Sequence, residues 1–304
     1  LRYFIAVAEE GSFTRAAARL AMQQPPLSQQ LKALEAELGS PLFRRHARGV
    51  EMTPAGAVFL DEARAVISRL DAATLKARRV ARGFAGSLTI GLATSAASHP
   101  GTPAAIGAFR ARYPEVALSF LEGDAAALTA AVHEGEADLA LIRAPVARPP
   151  ELVFHTLAEE PVMAALARSH PRAVQARRRK SKSIALEDLR DESFILVRRA
   201  GAPGIYGDLV LACRKAGFEP RIAAEVSNMF INTTLVAAGV GVSIVPYSMR
   251  ESHAAQVTYL ELRSARRMSA PLTLVTRRDN DNPAGAHFRA IASATVAPRS
   301  REGK

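Results

Sequence analysis

The sequence contains one cysteine, Cys213, and no tryptophan. A single thiol excludes an intrachain disulfide and any thiol–disulfide switch within one chain, and it suits a reducing compartment. Apolar runs are short. Stretches such as 240–246 fall far below the ~20 residues that cross a bilayer, so no membrane segment is expected. No segment pairs a basic start with an apolar leader core, and the cytoplasm is the expected location. The seven histidines show no metal-ligand spacing, and no Gly-x-Ser-x-Gly or phosphate loop is present. Gly239-x-Gly241 follows a predicted helix and precedes a strand, the reverse of a dinucleotide fingerprint. The chain therefore offers no nucleophile–base pair and no metal set for an enzyme, and no resident cofactor is expected.

What is abundant is positive charge: 40 Lys and Arg against 29 Asp and Glu, net +11 over 304 residues. Such an excess suits a polyanion, most simply nucleic acid. Residues 1–85 hold net +5, nearly half the excess on under a third of the length. It clusters at Arg44, Arg45 and Arg48, and again at Lys76, Arg78, Arg79 and Arg82. In the remainder the excess comes almost wholly from the run 177–182, expected as a solvated loop. A second contact to a DNA backbone is the sharper reading of that run.

Residues 1–10 carry Leu1, Phe4, Ile5 and Ala8 at helical spacing. Gly11 breaks the pattern, and Ser12 is placed to cap a short helix at 14–20. A turn at 21–24 follows. Pro25 and Pro26 then suit the first turn of a third helix, where a missing N–H costs nothing. Leu27, Leu31, Leu34 and Leu38 form its apolar stripe, and Gly39 suits its end. Three short helices with a tight turn between the second and third predict a helix-turn-helix, followed by an Arg-rich hairpin-like loop through Arg44, Arg45, His46, Arg48 and Gly49. A plain helical bundle would require neither the paired prolines nor that loop.

The stretch from Phe4 to Leu60 resembles the DNA-binding domain of LysR-type transcriptional regulators. The resemblance is carried by Ser12-Phe13-Thr14-x-Ala16-Ala17, Gln24-Pro25-Pro26-Leu27-Ser28, Leu34-Glu35-x-x-Leu38-Gly39, Leu42-Phe43-x-Arg45 and Thr53-x-x-Gly56. It implies that the third helix enters the major groove, with Gln24, Pro25, Ser28, Gln29 and Lys32 facing DNA and Arg44, Arg45, Arg48 and Thr53 beside it. Gln29 stands where many members carry Arg. Glutamine can pair with adenine and arginine with guanine, so base preference at that step is expected to differ.

From Phe59 the positions Phe59, Ala63, Val66, Leu70, Ala73, Ala77 and Val80 recur at spacings of four and three. That is a heptad seam, expected to pair two helices in a homodimer. Gly83 and Gly86 are expected to end the helix and open a hinge.

Beyond residue 85, predicted strands (87–92, 116–121, 138–142, 162–166, 194–197, 221–226, 241–245, 257–262, 272–276) alternate with helices, predicting α/β packing with largely parallel pairing. Leu88-Thr89-Ile90-Gly91, Phe109-x-x-x-Tyr113-Pro114, Gly135-x-x-Asp138-Leu139-Ala140, Ala216-Gly217-Phe218-x-Pro220 and the segment Leu235 to Pro246 resemble the LysR effector domain. The resemblance implies a two-lobed fold of the type II periplasmic-binding-protein kind. The expected organisation is a winged helix-turn-helix at 1–58, a linker helix at 59–84 and an effector domain at 85–304. Lobe one is expected at 87–161 plus 264–304, and lobe two at 162–263.

In such a fold a ligand sits between lobes, where strand ends and helix starts present free N–H groups. Ser95, Arg143, Ser227 and Asn228 are the expected carboxylate site, with Thr94 beside it and Arg143 supplying a charge-assisted bond. Pro203, Ile205 and Tyr206 would line it for an aromatic or unsaturated acid. Asp124 would repel an acid unless Arg143 neutralises it. As a family member, the chain would act on double-stranded promoter DNA as a homodimer or homotetramer, in contact with RNA polymerase and under the control of a small-molecule effector. A solute-binding protein of a transport system with a basic appendage is the alternative from another class. It would require secretion.

Overall fold

Capping residues divide the start of the chain into three short helices and one long one. The structure, a computed structural model, describes residues 1–46, 49–143, 148–197, 204–263 and 268–296. It separates into two units, Leu1–Arg79 and Val80–Lys304. In the first, α1 (Arg2–Glu10) stops at Gly11 in the left-handed conformation. The Ser12 side chain accepts from the Arg15 N–H and starts α2 (Phe13–Arg19). Helix α3 (Gln24–Leu38) carries its prolines in the first turn and stops at Gly39, again left-handed. Strands β1 (Phe43–His46) and β2 (Gly49–Met52) pair antiparallel as the wing.

The core of this head joins Phe4, Val7, Phe13, Ala16, Leu27, Leu31 and Leu42 to Leu60 and Ala63 of the long helix α4 (Pro54–Ala81). The expected stripe on α3 fades along its length: Leu27 and Leu31 are buried, Leu34 is half-buried and Leu38 is 42% exposed. The wing is tied down by Glu35, whose carboxylate accepts from the Leu42 and Phe43 N–H groups. Gly56 is forced by close approach, because a Cβ there would lie 2.2 Å from the Leu42 carbonyl oxygen.

Helix α4 runs 28 residues, about 42 Å. The seam divides along it. Phe59 and Ala63 pack into the head, whereas Val66, Leu70, Ala73, Ala77 and Val80 are exposed. The glycines expected at a hinge, Gly83 and Gly86, fall inside the second unit. Gly83 adopts a left-handed φ of 71°, and a Cβ on it would meet Ala284 N at 2.6 Å. His287 bonds the Arg82 carbonyl at 2.9 Å and stacks on Tyr113 at 4.7 Å. Gly86 lies within the next strand.

The second unit has two lobes. In the first, β3 (Ala85–Ala93) leads through α5 (Thr94–Ala97) and α6 (Gly101–Arg112) to β4 (Glu115–Gly123). Helix α7 (Ala125–Glu134), β5 (Leu139–Ile142) and β6 (Leu152–Ala158) follow. The other lobe holds β7 (Val162–Ala167), α8 (Pro171–Arg178), β8 (Ser183–Ile184), β9 (Ser193–Val197) and α9 (Gly204–Lys215). It continues with β10 (Arg221–Val226), α10 (Met229–Ala237), β11 (Ser243–Pro246) and β12 (Val257–Leu262). The chain then returns to the first lobe with β13 (Leu272–Arg277) and α11 (Pro283–Val296).

The first sheet has the order β4-β3-β5-β13-β6. Strands β4 and β5 flank β3 in parallel, while the returning β13 is antiparallel to β5 and β6. The second lobe forms β11-β7-β12-β8, with both neighbours of β7 antiparallel, beside the parallel pair β9–β10. Pairing is thus mixed rather than largely parallel, because strands that return across the lobe boundary run against their neighbours. The two crossing segments bond each other, Ala270 N to Glu160 O at 2.9 Å. The run expected as a loop at 177–182 begins within α8, which contributes Arg177 and Arg178 to its last turn.

Candidate functional site

Two surfaces carry the chemistry. On α3, Gln24, Pro25, Gln29 and Lys32 are exposed and Ser28 is half-buried. Their spacing places them on one face, opposite buried Leu27 and Leu31. Arg44 and Arg45 project from β1. Arg45 donates to Ser28 Oγ at 2.7 Å, and its guanidinium lies 4.6 Å from the centre of the Phe13 ring. The wing is thereby fixed against α3, and Ser28 is partly committed to that link. Thr53 lies elsewhere than expected. It is 6% exposed, donates to the Pro41 carbonyl and accepts from the Gly56 N–H, so it holds the base of the wing from beneath. Arg48 lies outside the described residues.

Helix α4 braces the head by charge. Glu9 receives Arg64 and Arg19, each at 2.9 Å, and these bonds hold its carboxyl below the usual range.

The second surface is a cleft between the two lobes of the effector unit, about 910 Å³ with its open mouth included. Of the residues expected there, Thr94, Ser95, Asp124, Arg143, Ile205, Ser227 and Asn228 line it. Tyr206 does not: it packs instead beside Leu209, Ser243 and Ile244 on the core of lobe two. Pro203 lies outside the described residues. Asn228 caps α10 through Ile231 N, and Asp124 caps α7 through Ala126 N and Ala127 N. Apolar wall comes from Ala93 after the first strand and from Val197, Met229, Pro246 and Pro271; these last four escaped the sequence, as did Asp208. A signal for Asp208 existed, since it follows Ile205 by three residues on one helix and so shares its face.

Arg143 is placed at the cleft floor, but its donors point into protein. Nε donates to Ser95 O at 3.0 Å, Nη1 to Ala270 O at 2.8 Å and Nη2 to Ser248 Oγ at 2.6 Å. Nη1 also lies 3.1 Å from Glu160. Four of the five N–H groups are thus engaged. Glu160 accepts in turn from the Ser248 N–H and hydroxyl, both at 2.9 Å. Burial lowers the Arg143 pKa and Glu160 opposes that shift. Burial and the nearby Arg143 charge push the His99 imidazole below its usual value. The Gly101 N–H donates to His99 Nδ1, which leaves Nε2–H aimed at Glu160, 3.5 Å away.

Among the described residues no cluster of His, Cys, Asp or Glu could hold a metal ion, and no helix is long and apolar enough to cross a membrane. Burial pushes the Cys213 thiol up to about 11, well away from the reactive range.

Comparison with known proteins gives these surfaces a context. Residues 1–57 match the model of the bacterial regulatory helix-turn-helix protein, lysR family, and residues 81–297 match the LysR substrate binding domain. The transcriptional regulator BudR of Raoultella terrigena is 40% identical over 265 residues, 87% of this chain and 89% of that protein. AlsR of Bacillus subtilis is 36% identical, covering 96% of this chain and 94% of that one. Full-length CbnR, solved with its target DNA, superposes with a TM-score of 0.75 at 28% identity over 97% of this chain and 98% of that one. These matches do not favour the transport-protein alternative. With both parts accounted for, the protein belongs to the LysR family and is a DNA-binding transcriptional regulator rather than an enzyme.

Proposed function

We propose that the protein is an effector-responsive regulator in which a small carboxylic acid, bound between the lobes, changes how the helix-turn-helix holds promoter DNA. Gln24, Pro25, Ser28, Gln29 and Lys32 read the major groove, and Arg44 and Arg45 contact phosphates. The exposed positions from Val66 to Val80 pair two chains into a homodimer, and dimers assemble into a tetramer that engages RNA polymerase. The ligand acts through different affinity for two lobe arrangements, the only way it can shift the equilibrium.

The observation that carries the reading is the composition of the cleft. Thr94, Ser95, Ser227 and Asn228 bring hydroxyl and amide groups to its lining, and Val197, Ile205, Met229 and Pro246 bring apolar wall. A carboxylate can be held by neutral donors at strand ends and helix starts, and the apolar wall suits the body of an aliphatic or aromatic acid. Arg143 has a changed part in this scheme. It holds the floor of the cleft in place of clasping the acid.

The test is a gel-shift series on upstream DNA with the full chain, with and without acetate, propionate and benzoate. Saturable, sequence-specific binding altered by one of these acids is expected. Binding that no acid alters, or no specific binding, overturns the proposal.

A further inference from the structure

The run Arg177-Arg178-Arg179-Lys180-Ser181-Lys182 has no part in the reading above. The structure makes it a fixed turn on lobe two. Arg177 and Arg178 end α8, Arg179 caps it, and Lys180 takes a left-handed φ of 52°. The Ser181 N–H donates to Ala176 O at 2.9 Å, and the Ser181 hydroxyl donates to Ser183 O at 2.9 Å. Strand β8 then pairs with β12 at the sheet edge. The five cations of the run are thus held within about 17 Å of chain.

All five are exposed. Arg177 donates to Thr258 Oγ1 at 3.1 Å, whereas Arg178, Arg179, Lys180 and Lys182 have no ion-pair partner among the described residues. The acids of the adjoining elements do not balance them. Asp188 is shared by Arg172 at 3.6 Å and Arg263 at 3.8 Å, which leaves Glu187 and Glu261, and α8 and β8 contain no acid. The residues outside the described ones hold a single acid, Glu302. The negative end of α8 accounts for Arg177 and Arg178, but that attraction fades beyond the last turn and does not account for Lys180 or Lys182. Like charges crowded on one turn repel, and a dense polyanion relieves them. Duplex DNA carries one negative charge per ~1.7 Å of its axis, and guanidinium groups bind phosphate oxygens in pairs. We propose that this turn makes a second, sequence-independent contact to DNA phosphates, distinct from that of the helix-turn-helix. It rests on the DNA binding of the family and not on the carboxylic-acid reading.

The salt dependence of promoter binding by the full chain tests this, on an upstream fragment that extends beyond the operator on both sides. One variant carries Arg177→Gln, Arg178→Gln, Arg179→Gln, Lys180→Gln and Lys182→Gln. A second removes the same charge from exposed positions elsewhere in the same unit, with Arg110→Gln, Arg112→Gln, Arg148→Gln, Arg214→Gln and Lys215→Gln. The first should lower the slope of log K against log salt by about two or more, at about 0.9 per lost phosphate contact, and leave the selected operator sequence unchanged. The second should stay within about one of the wild-type slope. Thermal unfolding and sedimentation should match wild type for both. If the first variant does not fold, Lys180→Gln with Lys182→Gln, both outside α8, should still lower the slope by about one. A wild-type slope in the first variant, or in the lysine pair where that pair stands in for it, overturns the proposal and leaves the turn to an acidic protein face or to solvent. Equal losses in the two fivefold variants overturn it as an effect of net charge. A first variant that folds but loses self-association overturns it by placing a second copy of this chain on the turn.

Discussion

The Arg143 guanidinium lies 3.1 Å from the Glu160 carboxylate, with both side chains almost fully buried where the chain passes between lobes. Its other bonds reach Ser95 on the cleft wall, Ala270 on the returning crossing segment and Ser248 in lobe two. One side chain therefore touches both lobes and both crossing segments. Removing one partner of a buried ion pair leaves an unpaired charge and costs about 3–5 kcal/mol. Glu160→Ala and Arg143→Met should each lower stability by that order in urea unfolding. The double variant should be less unstable than the sum of the two losses, because neither charge is then stranded. Additive losses would show that the two charges act independently.

The network also predicts a pH dependence. His99 has a folded pKa below 6.5, so below that pH the unfolded chain binds more protons than the folded one. Its contribution is fully present above pH 6.5 and is lost as pH falls below it. Melting temperature should drop between pH 6.5 and 5, and His99→Gln should flatten that part of the profile. His155, also lowered by burial, contributes in the same direction and sets the residual slope.

In the head, Arg45→Ala should weaken DNA binding and reduce the slope of log K against log salt by about one. Gln29→Arg should shift selection from adenine toward guanine at a single operator position, with a discrimination of about 1–3 kcal/mol. Selection from a randomised operator pool reads both effects. An unchanged consensus with Gln29→Arg would remove that residue from the reading face.

The exposed seam on α4 makes Leu70→Asp the most informative change outside the head. Leu70 is 54% exposed and contributes little to the fold of one chain. Sedimentation should show loss of the dimer with helix content retained. A dimer that persists would place the contact elsewhere.

Cys213 should resist alkylation in the folded state and react once the chain is unfolded, since its thiol is buried with a pKa of about 11. Rapid labelling of native protein would contradict that burial.

The head was legible because its signals are local. Ser12, Pro25, Gly11 and Gly39 act on the backbone beside them, and the structure places each at a helix boundary. The fate of Leu38 was less visible, since a heptad-like spacing does not say where the neighbouring core ends. The same limit applies to the α4 seam. Phe59 and Ala63 share its period with Val66 and Leu70, yet only the first two meet the head. Tertiary contacts hid more. Nothing local to Arg143 announces that Glu160, Ser248 and Ala270 will consume its donors from 17, 105 and 127 residues away. Thr53 was misplaced for the same reason, because its partner Pro41 is brought there by the wing. Strand β6 escaped because its residues alternate only weakly between buried and exposed.

The most direct test of the central claim follows one preparation through both binding events. Calorimetry first establishes saturation of the full chain by a monocarboxylate such as propionate or benzoate. DNase footprinting on its promoter is then carried out with and without that acid at the same concentration. The account predicts a specific footprint whose boundaries or internal cleavage pattern change on saturation. A footprint identical in the saturated and ligand-free protein would contradict it.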